Sequence, residues 1–148
     1  MNLSQAYELI MLALCCWREA RGESIATKYA QAWSVRNRVN NPGWWGHDWV
    51  SVILKPEQYS SFNAGDPNAV KFPTADFQDW MDCLKVASDV YAGKASDPTS
   101  GATSYYDISI APPKWTASMV MTVRSGRLVF YKLPAEITSP EIEDSMSA

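Results

Sequence analysis

The sequence contains few cysteines and histidines and no cluster of basic residues. Its 148 residues include three Cys, of which Cys15 and Cys16 are adjacent, and one His, His47. These spacings fit neither a disulfide framework nor a zinc site, so we expect reduced thiols, no metal site and no cofactor. The formal net charge is −3 and no run of Lys or Arg occurs, which argues against nucleic-acid binding.

The sequence also lacks a long hydrophobic run. Its most apolar stretch, residues 9–17, is much shorter than the roughly 20 apolar residues that a membrane-spanning helix needs. The first residues lack the basic segment and the small-residue cleavage site of a signal peptide. We therefore expect a protein that is synthesised in the cytoplasm and does not insert stably into a membrane.

The residues that are abundant are typical of one globular domain. Hydrophobic residues make up 47% of the chain, which has seven Trp and seven Tyr, enough apolar surface for a real core. Neither an internal repeat nor an interdomain linker is visible. We predict a single domain over residues 1–133 and, because the last residues are rich in Glu, Ser and Pro, a flexible tail over residues 134–148.

Hydrophobic periodicity predicts that the fold is mainly α-helical, of the α+β class. Ser4 and Ser24 are the expected N-caps of the first two helices. Because the first helix is apolar on all sides, it should be buried at the centre of the domain. The predicted helices cover residues 4–21, 24–40, 48–54 and 74–93.

The rest of the chain is predicted to contain a long loop and a little β-structure. Residues 55–73 have no regular pattern, and a loop of that length in a compact domain is often functional. Residues 102–107 are expected to be extended. Residues 119–132 are expected to form a small β-hairpin that turns at Ser125-Gly126.

A glutamate at the end of the first helix is the most informative position. Glu19 follows an uncharged stretch, residues 9–17, and the C-terminal end of a helix carries partial negative charge. Burial and the helix dipole should both favour the neutral carboxyl, as in a general acid. Arg18 and Arg21 support the opposite interpretation, because either can form a salt bridge that keeps Glu19 ionised.

Several short motifs follow one another along the chain. They are Trp17-Arg18-Glu19-Ala20-Arg21-Gly22-Glu23, Ala30, Ala32, Asn37-Arg38-Val39, Lys55-Pro56-Glu57-Gln58-Tyr59-Ser60, Asp97-Pro98-Thr99-Ser100-Gly101-Ala102-Thr103, Tyr105, Lys114-Trp115 and Phe130-Tyr131. Each is weak alone, but their order resembles that of cell-wall hydrolases of the spore-cortex-lytic-enzyme (SleB) type. The resemblance covers residues 12–131.

This resemblance implies a lysozyme-like fold and a peptidoglycan-degrading enzyme. The family usually acts as lytic transglycosylases that cut the glycan strand between N-acetylmuramic acid and N-acetylglucosamine. Its catalytic acid/base is the first Glu of the motif, which matches Glu19, and one such carboxyl is sufficient for transglycosylation. The resemblance therefore favours a catalytic Glu19 over a salt bridge.

The resemblance also suggests which residues bind the substrate. Gln58 and Ser60 are expected to bind an N-acetyl group or to position Glu19, with loop capping as the alternative. Tyr105 is expected to hold the sugar or the catalytic carboxyl, with core packing as the alternative. Trp115 is a candidate for stacking on a sugar, as are Trp44 and Trp45, although each Trp alone is more typical of core packing. Asn37 and Arg38 are expected to be structural, bonding to neighbouring loops.

A muramidase would need a second carboxylate to activate water or act as a nucleophile. Glu23 is the nearest candidate in sequence and is included among the expected substrate-binding residues. Its alternative role is structural, because a negative charge is favourable at the start of the second helix. Asp66 and Asp107 are weaker candidates.

The chain departs from the family pattern in three places. A Gly-Gln pair common in the family is Thr27-Lys28 here, a frequent His is replaced at Leu128-Val129, and Asp107 stands where Asn is frequent. These differences leave Glu19 unchanged but affect the expected details of the groove.

The expected activity is that of a lytic transglycosylase, and the small size suggests a bacteriophage or prophage endolysin. We expect a monomer that acts on bacterial peptidoglycan and depends functionally on a holin. The alternatives are a muramidase, a non-catalytic module that binds cell-wall sugars, and a chitinase-type hydrolase. A virion-carried enzyme that penetrates the wall is the alternative to the lysis role.

Overall fold

The computed structural model describes residues 1–56, 58–74 and 77–134. Residues 135–148, nearly all of the predicted tail, lie outside the described part. The described chain forms helices, three short 3-10 helices and one antiparallel sheet. The α-helices are α1 (Leu3–Ala20), α2 (Ile25–Asn40), α3 (Trp49–Ile53) and α4 (Phe77–Ala92), and the strands are β1 (Ser104–Asp107), β2 (Val120–Ser125) and β3 (Leu128–Lys132). This is the predicted mainly α-helical, lysozyme-like α+β architecture.

Helix α1 begins earlier than predicted. Asn2, not Ser4, is its N-cap: the Asn2 side chain accepts a hydrogen bond of 2.8 Å from Gln5 N. Gln5 Oε1 in turn accepts a bond of 2.9 Å from Asn2 N. This reciprocal pair is a capping box, which Ser4 cannot form because it lies within the helix. At the other end Gly22 has φ +82°, as expected of the residue after a helix C-cap.

The central position of α1 is confirmed. Its second half is buried on all sides, and it packs against α2, α3 and α4. Burial around the whole circumference follows from the uncharged, apolar run of residues 9–17. The buried residues of α1 are Met11, Leu12, Ala13, Leu14, Cys15, Cys16, Trp17, Arg18 and Ala20.

Helices α2 and α4 are joined by a buried ion pair. Ser24 caps α2 as predicted, accepting a hydrogen bond of 3.2 Å from Thr27 N. Lys28 Nζ lies 2.6 Å from Asp79 Oδ1 on α4, and both side chains are nearly inaccessible to solvent. The same ammonium donates a hydrogen bond of 2.7 Å to the carbonyl of Glu23, so that Lys28 fastens the α1–α2 corner to α4.

The sheet contains one strand more than the predicted hairpin. Strands β2 and β3 form the expected antiparallel hairpin, and β1, within the segment predicted to be extended, pairs with the other edge of β3. The strand order is β1-β3-β2. Because Tyr105 is opposite Phe130 and Phe130 is fully buried, this pairing places β1 beside the helices.

The long loop between α3 and α4 contains two 3-10 turns, Ser60–Phe62 and Pro67–Val70. Arg18 of α1 holds it in place: its guanidinium donates hydrogen bonds to the carbonyls of Ala69 (3.1 Å) and Lys71 (3.2 Å). The loop therefore lies over the C-terminal end of α1. Of the helices described, none is long and apolar enough to cross a membrane.

Candidate active site

Glu19 lies in the last turn of α1, at the wall of a cleft between the helices and the sheet. The cleft has a volume of about 310 Å³. One side is formed by α1, α2 and the long loop, and the other by β1 and the segment that follows it. The lining residues are Glu19, Arg38, Gln58, Tyr59, Ser60, Ser104, Tyr105, Tyr106, Asp107, Ile110, Pro113, Trp115 and Leu128.

The Glu19 carboxyl is held by a hydrogen bond from the sheet. Tyr105 Oη donates to Glu19 Oε1 over 2.7 Å. The phenol in turn accepts a hydrogen bond of 3.3 Å from Gln31 Nε2 on α2. The Tyr105 hydroxyl on β1 thus links helix α2 to the Glu19 carboxyl on helix α1.

Burial raises the pKa of the Glu19 carboxyl above its ordinary value. The hydrogen bond from Tyr105 and the proximity of Ser61 both lower this pKa, because they stabilise the ionised form, whereas the negative charge of Asp66 raises it further. Desolvation is the largest of these effects. This direction was expected from the sequence, with burial as one of two causes.

The salt bridge considered as an alternative does not form. Arg18 donates hydrogen bonds to carbonyl groups of the long loop, and its Cζ lies 4.6 Å from the centroid of the Phe62 ring. Arg21 donates a hydrogen bond of 3.0 Å to Asn68 Oδ1 and lies over Trp17 at 4.4 Å. Glu19 consequently has no cationic partner among the residues that the structure describes, and its pKa is free to rise.

Gln58 and Ser60, both predicted to be near the substrate, line the cleft. Gln58 Oε1 accepts a hydrogen bond of 3.3 Å from Arg38 Nη1, which leaves the amide nitrogen available to a ligand. Ser60 is exposed. Neither side chain forms a hydrogen bond to Glu19, so their position favours contact with a ligand over positioning of the carboxyl.

Arg38 forms part of the cleft wall although the sequence analysis treated it as structural. It does have the predicted structural bonds to neighbouring segments: Nε donates to Thr103 O over 2.5 Å and Nη2 donates to Ser104 Oγ over 3.2 Å. Asn37 likewise donates to Asp97 Oδ2 over 2.9 Å. The guanidinium of Arg38 also fixes the side chain of Gln58, so it organises one wall of the cleft.

Two of the aromatic residues that line the cleft, Trp115 and Tyr106, pack against each other and against Tyr131. The ring of Trp115 meets that of Tyr131 edge-on, with centroids 5.3 Å apart. Trp115 is only 8% exposed, so most of its surface packs against the protein. Trp44 and Trp45, the other stacking candidates, do not line the cleft.

Asp107 is the one candidate for a second carboxylate that lines the cleft. Burial disfavours its ionised form, but hydrogen bonds from Ser109 and Arg127 outweigh that effect and lower the pKa of Asp107. Its Oδ1 lies 3.2 Å from Arg127 Nη2. Asp107 is therefore an ionised carboxylate at the cleft, opposite in character to Glu19.

Glu23 is not brought into the cleft. Its carboxylate faces the β2–β3 turn, where Oε1 accepts a long hydrogen bond of 3.4 Å from Arg127 N. This placement favours the structural role. Asp66 caps the second 3-10 turn by accepting a bond of 2.8 Å from Asn68 N, and it is not part of the lining either.

The described residues do not contain a group of His, Cys, Asp and Glu side chains that could bind a metal ion. His47 is on the surface, with its side chain 79% exposed. The thiols of Cys15, Cys16 and Cys83 are free and buried.

Two residues beside Glu19 were missed by the sequence analysis. Gln31 is fully buried and Ser61 is 2% exposed. Ser61 follows the predicted Gln-aromatic-Ser motif directly, so a signal for it existed. Gln31 is a polar residue among the buried positions of α2, and only its burial, which the sequence does not give, distinguishes it from a surface glutamine.

Comparisons with known proteins agree with this fold. The structure is similar to the catalytic domain of the germination-specific lytic transglycosylase SleB from Bacillus anthracis, with a TM-score of 0.68, 24% identity, and coverage of 84% of this chain and 93% of the other. It is equally similar to the catalytic domain of the Bacillus cereus SleB protein, with a TM-score of 0.68, 23% identity, and coverage of 86% and 91%. No curated protein sequence matches the chain.

A sequence family described as cell wall hydrolase matches residues 22–131, well over half of the chain. The matched range begins just after Glu19, so the importance of Glu19 rests on its position in the cleft. The extent of this match shows that the chain belongs to the cell wall hydrolase family.

Proposed function

We propose that this cell wall hydrolase is a lytic transglycosylase that cleaves peptidoglycan between N-acetylmuramic acid and N-acetylglucosamine, with Glu19 as its acid and base. The observation that carries the proposal is the state of the Glu19 carboxyl. It lies at the cleft, its pKa is raised by burial, and Tyr105 holds one of its oxygens. A carboxyl in this environment retains a proton at higher pH than an ordinary Glu, as a general acid requires.

The reaction needs only this one carboxyl. Glu19 donates its proton to the glycosidic oxygen, the bond from that oxygen to C1 of the muramic acid breaks, and the sugar ring develops oxocarbenium character. The resulting Glu19 carboxylate then removes the proton of the muramyl 6-hydroxyl, whose oxygen bonds to C1. The products are an anhydro-muramyl end and a new N-acetylglucosamine end, and Glu19 is protonated again.

The other cleft residues have supporting roles in this proposal. The free amide nitrogen of Gln58 and the exposed hydroxyl of Ser60 are suited to binding an N-acetyl group. Tyr106 and the accessible part of Trp115 provide an apolar surface for a sugar face. Tyr105 acts on the carboxyl through its hydrogen bond, which supports the role of holding the catalytic carboxyl.

A muramidase is the second candidate, and Asp107 favours it. An ionised carboxylate on the far wall of the same cleft can activate a water molecule. Water would then attack C1 and give a reducing muramic end. The two candidates differ in their product and in their dependence on Asp107.

The product test uses purified peptidoglycan digested by wild type, Glu19→Gln and Asp107→Asn, with the soluble fragments identified by mass spectrometry. The proposal predicts anhydro-muramyl ends from wild type and from Asp107→Asn, and none from Glu19→Gln. Reducing muramic ends that disappear in Asp107→Asn would establish the muramidase instead. If wild type binds peptidoglycan without cleaving it, and Glu19→Gln binds equally well, the protein is a sugar-binding module. Cleavage of peptide-free chitin oligomers would indicate the chitinase-type alternative.

The biological setting stays a prediction from the sequence. We propose a monomeric endolysin of a bacteriophage or prophage that reaches the wall after a holin permeabilises the membrane. The test is to express the protein in a bacterial host with and without a membrane-permeabilising protein. The turbidity of the culture then measures cell lysis. Lysis only with the permeabilising protein is expected, and lysis without it would contradict the holin dependence. Analytical ultracentrifugation of the purified protein gives its molar mass in solution and so tests whether it is a monomer.

A further inference from the structure

We infer that Gln31 is a positioning residue that determines, through Tyr105, which oxygen of Glu19 carries the acid proton. This inference rests on the proposed function, in which Glu19 is the acid. Gln31 is fully buried in α2 and does not line the cleft. It therefore acts on the reaction only through the side chains that it touches.

The contacts of the Tyr105 hydroxyl determine the direction of its hydrogen. It lies 2.7 Å from Glu19 Oε1 and 3.3 Å from the amide of Gln31. A phenol has one hydrogen, and the shorter contact, to a carboxyl oxygen, receives it. The Gln31 group on that side must then be a donor, which assigns its NH₂ to Tyr105. The same nitrogen lies 3.5 Å from Cys15 Sγ, an acceptor.

Packing alone does not explain a glutamine at this position. Gln31 Oε1 is buried and has no hydrogen-bond partner within the described residues. An unsatisfied buried acceptor is destabilising, and an apolar side chain of similar length, such as Met, fits the position without that cost. A polar group at a buried position where one end destabilises the fold indicates a function for its other end, the NH₂ that reaches Tyr105.

The consequence concerns the two oxygens of Glu19. Because Gln31 donates to Tyr105, the hydrogen of the phenol points away from α2 and toward Oε1. Oε1 is then an acceptor whether or not Glu19 is protonated, and the acid proton is left on Oε2. Without Gln31, Tyr105 can turn its hydrogen elsewhere and accept a proton from Oε1, so that the acid proton is no longer confined to Oε2.

Tyr105 is suited to remain the donor, because burial and the neighbouring Glu19 raise the pKa of its hydroxyl. Other titratable and charged groups near Glu19 come from each element packed around it, and of these Cys15 and Tyr105 touch Gln31. Among the described residues they are Cys15 and Arg18 on α1, Arg38 on α2, Tyr59 and Asp66 on the long loop, and Tyr105 on β1.

The test compares Gln31→Met, Tyr105→Phe and the double variant. The pKa of Glu19 is measured without substrate by carbon NMR of Glu-labelled protein, and kcat/KM on peptidoglycan fragments is measured against pH. Loss of the bond to ionised Glu19 should raise its pKa by about half a unit and lower kcat by about three- to tenfold. The alkaline limb of the pH profile should move up equally. The double variant should resemble Tyr105→Phe, because Gln31 acts through Tyr105.

Two controls separate this role from a structural one. Gln31→Met should have a Tm equal to or above that of wild type, since it removes the unsatisfied acceptor. Thr27→Val, which removes another fully buried polar group of α2, should lower Tm but leave the pKa of Glu19 unchanged. Gln31→Asn, which withdraws the amide from Tyr105, should shift the pKa as Gln31→Met does, so the result does not depend on one variant.

The inference is overturned if Tyr105→Phe raises the pKa of Glu19 and neither Gln31 variant does, or if the effects of Gln31→Met and Tyr105→Phe add. These outcomes leave the proposed function intact. Failure of the proposed function would give a different result, namely full activity of Glu19→Gln. The pKa of Glu19 is measured without substrate, so that measurement is independent of this activity.

Discussion

Tyr105 on β1 donates a 2.7 Å hydrogen bond to Glu19 at the end of α1, across 86 residues of sequence. The bond joins the sheet to the central helix at the cleft. It favours the ionised carboxyl, whereas burial favours the neutral one, and burial prevails. The pKa of Glu19 is therefore raised but restrained, which suits a group that must both give and take a proton.

The raised pKa of Glu19 predicts a pH-dependent stability difference between wild type and Glu19→Gln. Because the folded-state pKa is above the unfolded one, the stability contributed by the protonated carboxyl is complete below the ordinary pKa of Glu and is lost as pH rises through the folded pKa. Glu19→Gln lacks this loss. Its Tm should exceed that of wild type at pH 7, and the two should converge near pH 4. A Tm difference that is the same at both pH values would contradict the burial argument.

The ion pair between Lys28 and Asp79 predicts a large stability effect. Its 2.6 Å contact is buried, and removing one member of such a pair leaves an uncompensated charge. Asp79→Asn should lower the free energy of unfolding by about 3 kcal/mol. The double variant Lys28→Met/Asp79→Leu, which removes both charges, should recover most of this loss. Urea unfolding measures the free energy of unfolding of both variants. A double variant as unstable as Asp79→Asn would show that the uncompensated charge is not the cause.

The turn between β2 and β3 predicts a steric effect at Gly126. This residue has φ +56°, and a Cβ there would collide with the Glu23 carboxylate. Gly126→Ala should cost about 1–2 kcal/mol. Gly65 is the matched control: its φ is +84°, but no atom lies within 4 Å of a Cβ. Gly65→Ala should therefore lower the free energy of unfolding by less. Equal decreases for the two variants would exclude the collision with Glu23 as a cause.

Trp115 should contribute more to stability than to substrate binding. It is 8% exposed and packs against Tyr106 and Tyr131. Trp115→Ala should lower the free energy of unfolding by about 3 kcal/mol, whereas Trp115→Phe should retain most of the packing. If Trp115→Ala raised KM strongly without changing Tm, the sugar-stacking role would be the main one.

The fold was largely predictable from the sequence because its elements carry local signals. The apolar circumference of α1 predicted a central helix, and Ser24 predicted the start of α2. Ser4 is not the N-cap because Asn2 forms a reciprocal pair with Gln5, and hydrophobic periodicity does not give the first residue of a helix. The pairing of β1 with β3 was missed because it is a long-range contact that a single sequence does not reveal.

The candidate site was only partly predictable. Glu19 was found because a carboxylate at the end of an apolar helix is unusual, and Gln58, Ser60 and Tyr105 were found from the resemblance. Glu23 was grouped with them because of its proximity in sequence, but Gly22 turns the chain and its carboxylate faces the β2–β3 turn instead. Gln31 was missed because its importance lies in a contact with Tyr105, 74 residues away.

The most direct test of the central claim compares the initial rates of peptidoglycan cleavage by Glu19→Gln and Glu23→Gln. Both substitutions remove one carboxylate of the same motif, but only Glu19 lines the cleft. Glu19→Gln should lower kcat by about 10²–10⁴-fold while remaining folded and bound to peptidoglycan, and Glu23→Gln should remain within about threefold of wild type. A Glu19→Gln variant with activity near that of wild type would contradict the assignment of Glu19 as the catalytic acid.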